Sequence, residues 1–165
     1  MHLVIGDDDT LHHPARHDAS QALATLVRAS RRSLWLRAPA LDALTDSADV
    51  CDAIKVLALS SARADIRILF DSLESAVRNG HRLIHLSRRL PSRITLRQAQ
   101  QDDNDTQLCF AIADGTGLFE ASGWPRPAKI DLSGHRLPRA PRLGKQFREH
   151  WERASGSPEL RELRL

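Results

Sequence analysis

The chain has 165 residues, 41% of them hydrophobic, and carries 24 basic against 21 acidic side chains for a net charge of +3. That length supports one domain that buries roughly 70% of its unfolded surface, with no need of a metal or disulfide staple. Composition excludes a membrane span, since no apolar run approaches roughly 20 residues, a signal peptide, since Met1–Thr10 carries Asp7, Asp8 and Asp9 and no Lys or Arg, and a disulfide scaffold, since the only cysteines are Cys51 and Cys109.

The pattern along the chain predicts alternating helices and strands. His2–Ile5 is a short apolar run, a strand or an ordered tail. Asp18 can cap a helix through about Ser30, with Ala22, Leu23, Leu26 and Val27 on its apolar side. Ser33–Arg37 alternates as a strand that Pro39 ends. Ser47 can cap a helix over Val50, Ile54, Leu57 and Ala58. Asp65–Phe70 is a strand. Leu73–Arg89 reads as a helix weakened by Gly80 and stopped by Pro91, with Val77, Leu83, Ile84 and Leu86 apolar. Arg93–Leu96 is a strand, and Gln98–Asp105 a polar, exposed loop. Gln107–Ala113 is a buried strand whose turn, Asp114–Gly117, leads to a hairpin partner at Leu118–Ala121. Residues 124–142 contain Pro125, Pro127, Pro138 and Pro141 and read as mostly irregular. Leu143–Ala154 is a final helix, and Pro158–Leu165 an alternating tail. The expected fold class is α/β: a mixed, mainly parallel sheet with helices on both faces. Residues 1–17 form an N-terminal segment and residues 18–165 a single domain.

From Gln107 to Trp124 the order resembles the phospholipase D-like superfamily. Its His-x-Lys-x4-Asp motif lies on a strand, followed by Gly, a hairpin and a Gly-Ser turn. Here Asp114 falls on the motif Asp and Ser122 near the Gly-Ser position, but Gln107 stands for the His and Cys109 for the Lys. Ala29–Pro39, Ala64–Asp71 and Phe147–Trp151 resemble the family's flanking elements. GHRLIHLSRRLPS and the end PELRELRL also resemble an uncharacterised bacterial domain found alone or appended to GNAT acyltransferases.

The resemblance implies phosphodiester chemistry through a phospho-histidine, with a second imidazole for the leaving group and cations on the phosphoryl oxygens. Two motif copies build such a site, so one unit of this size implies a homodimer. Gln107 cannot attack phosphorus, Cys109 brings no positive charge, and Asp114 has no imidazole to orient. The expectation is therefore no catalytic residue and no cofactor. The former groove would lie around Gln107, Cys109, Asp114 and Ser122, with Arg37 facing it from the end of the first buried strand. Its ligand would be an anion such as a phosphate, and the chain a binding or interaction module in the cytoplasm. Two alternatives stand beside it: a divergent phosphodiesterase or nuclease using His81 or His135, and an accessory domain to an acyltransferase or another cytosolic partner.

Other clusters carry weaker signals. His12, His13 and His17 lie beside four aspartates, and His81 and His85 share a helix face; neither set has enough around it to assign a metal. His150 has no partner that sequence can show. Cys109 lies within LCFAIA and Cys51 on a helix, so both read as inert thiols. Arg82, Arg88, Arg89, Arg93 and Arg97 could hold phosphates, but the acidic loop Asp102–Asp105 offers them internal partners. Nucleic acid stays open but unsupported, since Tyr is absent and Phe and Trp are few.

Overall fold

The computed structural model describes residues 2–74, 81–105 and 107–154. Six strands form one sheet: β1 (Ser33–Ala40), β2 (Asp65–Ser72), β3 (Ile94–Gln98), β4 (Leu108–Ala113), β5 (Gly117–Ser122) and β6 (Lys129–Ser133), in the order β3-β2-β1-β4-β5-β6. Among the described residues four helices accompany them: α1 (Ala19–Ala29), α2 (Ala48–Ser60), α3 (Arg82–Arg89) and α4 (Arg139–Arg153). None of the described helices is long and apolar enough to cross a membrane.

The sheet is mixed, but mainly antiparallel rather than mainly parallel. Only β1–β2 and β2–β3 run parallel. β1–β4, β4–β5 and β5–β6 are antiparallel. The cause is connection length. A parallel crossover needs about a dozen or more residues, usually with a helix. The stretch from Gln98 to Leu108 has only a 3-10 turn at Gln101–Asp103. It can carry the chain to the far side of β1 only with reversed direction.

Helices do cover both faces. Leu23, Leu26 and Val27 of α1, Val50 and Ile54 of α2, and Leu83 and Ile84 of α3 share one core with Leu34, Leu36, Ile66, Ile68 and Cys109. Across the sheet, Ala140, Leu143, Phe147 and Trp151 of α4 pack on Leu69, Phe110, Ile112 and Leu118. Trp35, Phe147 and Trp151 stack in series, with centroids 5.4 and 5.7 Å apart. Arg67 lies over both tryptophans, and Arg97 over Trp151.

Several boundaries move from the sequence reading. Pro39 does not end β1; it lies beyond Arg37, the last residue paired with β4, so its missing N–H leaves no gap in that ladder. Asp18 precedes α1, but its side chain caps nothing; a 3-10 turn at Arg16–Asp18 leads in instead. Ser47 does cap α2, accepting from the Val50 amide. The stretch 124–142 is about half regular: it contains β6 and the start of α4, where Pro141 is tolerated because first-turn amides need no helical acceptor. Val77, Gly80 and the tail Pro158–Leu165 lie outside the described residues.

Residues 2–13 dock along the β6 side. Leu3 is buried, and the Gly6 amide donates to the Gly134 carbonyl. His12 exchanges two backbone hydrogen bonds with Leu132 of β6. A Cβ at Gly134 would meet the Val4 carbonyl, so glycine is required there by close approach.

Candidate functional site

At the carboxyl ends of β1 and β2, where α/β sheets hold ligands, the structure places a buried ion pair. Arg37 Nη2 lies 2.6 Å from Asp71 Oδ1, with side-chain exposures of 4% and 5%. The same nitrogen donates to the Asp103 carbonyl at 3.0 Å, and Nη1 to the Ala38 carbonyl. Asp71 Oδ2 accepts from the Asp105 amide, and the Asp71 carbonyl from Gln98 Nε2. Burial pushes the Asp71 carboxyl above its ordinary range, against the downward pull of Arg37 and the Asp105 amide. The cation expected to meet an external anion is satisfied from within.

The lid on this pair is the stretch after β3, expected as an exposed polar loop. Its Asp103 side chain is only 10% exposed, because Arg153 of α4 grips it through two nitrogens at 3.0 and 2.9 Å. His150 lies 3.6 Å away. The Arg153 hydrogen bonds hold the Asp103 carboxyl below its ordinary range. Asp103 of the acidic loop thus takes its partners from β1 and α4. Of the arginines expected to serve it, Arg82 bonds Asp46, Arg93 the Ala58 carbonyl, and Arg97 the Trp151 carbonyl.

Of the other sequence-derived positions, Gln107 and Ser122 share Arg37's end of the sheet, whereas Cys109 faces the opposite core and Asp114 lies at the far end of β4. Arg37 pairs with Leu69 and Phe110 and so points toward α4. Cys109 belongs to the opposite core, fully buried, and burial raises its thiol far above the ordinary value. Gln107 is exposed just before β4; its amide donates to Asp105 Oδ1 and its carbonyl accepts from Gly123 and Trp124. Ser122 is exposed at the end of β5, paired with Leu108 and Lys129.

Asp114 lies at the other end of β4. A strand of that length spans about 20 Å, so Asp114 could not orient a side chain at position 107. It adopts a left-handed φ of 50°, and its carboxylate accepts from the backbone amides of Arg31, Arg32 and Ser33 at 2.8–3.0 Å. Its role is to fasten the α1–β1 connection to the β4–β5 turn.

Two further networks carry no motif. His81 Nδ1 accepts from the Leu83 amide, so Nε2 carries the proton toward Thr45 Oγ1, 2.8 Å away. The Thr45 hydroxyl donates to the Asp42 carbonyl, and Asp42 Oδ2 receives Trp124 Nε1 at 2.7 Å. Burial depresses the His81 imidazole, partly offset by Asp46 and Asp42. Cys51 donates to the Thr45 carbonyl, and burial pushes its thiol up to about 12. Of the N-terminal histidines, His13 has its Nδ1 3.0 Å from Asp131 of β6. Among the described residues no group of three His, Cys, Asp or Glu could hold a metal ion.

This architecture is similar to that of NucT from Helicobacter pylori, with a TM-score of 0.64 at 17% identity, covering 90% of this chain and 98% of that one. It is also similar to TrmBL2, an archaeal chromatin protein whose structure shows a novel mode of DNA binding, with a TM-score of 0.62 at 14% identity. That match covers 91% of this chain and 52% of TrmBL2. At such identities the likeness concerns the fold. The chain itself belongs to the family described as "Domain of unknown function (DUF7931)", whose model matches residues 15–163. No curated protein matches it.

Proposed function

We propose that this chain is a phospholipase D-like domain without phosphodiesterase chemistry, acting as a binding or interaction module. The observation that carries the reading is the Arg37–Asp71 pair closed beneath Asp103. A guanidinium held by an internal carboxylate has no free face for a phosphoryl oxygen, and expelling that carboxylate would strand a buried charge. Supporting it, position 107 offers an amide instead of an imidazole, and position 109 a protonated thiol inside a core. With the cation filled from within, a second copy is not required to complete a site, so the homodimer implied by the resemblance has no chemical necessity here.

The enzymatic alternative would need His81 or His135. His81 has both ring nitrogens engaged and a side chain 1% exposed, which argues against proton transfer to a substrate. The test is turnover of bis-p-nitrophenyl phosphate and of DNA, with added divalent metal and with chelator. No turnover above a heat-inactivated control is expected. Turnover that persists through purification and disappears in a folded His81→Gln or His135→Gln variant overturns the reading.

A further inference from the structure

Away from the closed strand ends, α2 and α3 border a pocket of about 240 Å³ lined by Cys51, Asp52, Lys55, Arg82, His85, Leu86 and Arg89. The lining follows from helical spacing. Residues 82, 85, 86 and 89 form one stripe of α3, and residues 51, 52 and 55 the facing stripe of α2. Buried Cys51 and Leu86 supply the floor, while Lys55, Arg82, His85 and Arg89 are exposed around it.

The charge here is unlike that at Arg37. Three formal cations line the pocket with one lining carboxylate, Asp52, and Asp46 stands behind Arg82 and beside Cys51. Arg82 is anchored, its backbone amide on Asp46 Oδ1 and its Nη1 on the Asp46 carbonyl. The Lys55, His85 and Arg89 side chains have no hydrogen-bond or ion-pair partner among the described residues. Three basic side chains elsewhere are absorbed internally, Arg37 by Asp71, Arg139 by Glu120 and Arg153 by Asp103, while others, such as Arg142 and Lys145 of α4, stand on the open surface. Here an apolar floor and a helix pair hold Lys55 and Arg89, donors without a partner among the described residues, around a small concavity. Desolvated on one side and convergent, such donors suit a compact, multiply charged oxyanion. The volume falls below the roughly 300–1,000 Å³ of drug-sized sites, which favours a phosphate or diphosphate group over a whole nucleoside or an extended duplex.

We propose that the α2–α3 pocket binds the phosphate or diphosphate group of a small phosphorylated ligand, with Lys55 and Arg89 as the principal contacts. This goes beyond the non-catalytic reading and does not depend on it: hydrolysis at the strand ends would defeat that reading while leaving this pocket untouched.

The experiment is calorimetric titration of the intact chain with pyrophosphate at low ionic strength, where screening is weakest. The double variant Lys55→Gln/Arg89→Gln is compared with a surface control of equal charge loss on α4, Arg142→Gln/Lys145→Gln. Circular dichroism establishes that each is folded. Saturable one-site binding is expected in the wild type, weakened about tenfold or more by the pocket variant and within about twofold of wild type in the control. Absence of pyrophosphate binding overturns the proposal. So does an equal loss in the control, which would indicate general surface charge, or binding of a single-stranded oligonucleotide with none of pyrophosphate.

Discussion

Replacing Arg37 by methionine separates a structural cation from a ligand-binding one. Met keeps much of the aliphatic length but removes three donated hydrogen bonds, to Asp71, Asp103 and Ala38. It leaves Asp71, 5% exposed, facing no countercharge. An exposed ion pair contributes about 0–1 kcal/mol, whereas breaking a buried one by removing one partner costs about 3–5 kcal/mol. The burial here places Arg37→Met in the second class. For a chain of this size that is a fall in Tm of about 6–20 °C. The orphaned carboxyl also sets the pH dependence. Burial already holds Asp71 above its ordinary range, and Arg37 is the main influence drawing it down. Without Arg37 the folded state keeps the Asp71 proton to still higher pH than the unfolded state does. That contribution favours folding at low pH and is lost as pH rises through the folded value. The destabilisation is therefore smaller at about pH 5 than at about pH 7.5. The double variant Arg37→Met/Asp71→Leu, with no stranded charge, stays within about 2 kcal/mol of wild type. Urea unfolding monitored by circular dichroism reads each value. A cost for Arg37→Met below about 1 kcal/mol, or a double variant equal to the sum of the singles, would refute the argument and return Arg37 to the ligands.

Asp114→Ala removes the acceptor of three backbone amides and puts a Cβ residue without a polar side chain at positive φ; it should cost about 2–3 kcal/mol, and Asp114→Asn about half as much, in chemical denaturation. The buried His81 is depressed below 6.5 in the folded state, so the unfolded chain takes up its proton first. Its contribution is complete above about pH 6.5 and lost as pH falls toward the folded value. Wild type should therefore lose more stability than His81→Gln between about pH 7 and pH 5, measured by unfolding at each pH; parallel profiles would remove His81 from the account.

Most strands and helices were legible because their periodicity is local. The core reading of Cys109 followed from LCFAIA alone, and the Ser47 cap from its place before Val50. Strand direction was misread as mainly parallel, although a length carried it: the nine residues between β3 and β4 are too few for a crossover helix. β6 carried a period-two signal in KIDLS, obscured by the prolines around it. The closure of Arg37 had no local signal. Asp71 lies 34 residues away and meets Arg37 only through the parallel register of β1 and β2, while Asp103 arrives through Arg153 of the last helix. The motif comparison put Asp114 on the motif aspartate, but the chemistry of that position depends on which end of β4 it occupies, which only the fold decides.

The docking of residues 2–13 has a consequence for how copies of this domain can meet. A strand at the border of a sheet is an open template for another chain. Along β6 that template is already taken: Leu132 spends its outward amide and carbonyl on His12, and the Ile130 carbonyl faces His13 Nδ1 at 3.3 Å. The opposite border, β3, is five residues long, and its Arg97 is folded back over Trp151. Neither margin invites a continuous intermolecular sheet. Self-association, where it occurs, is thereby directed to helix surfaces, and removing the first dozen residues would reopen one border to polymerisation.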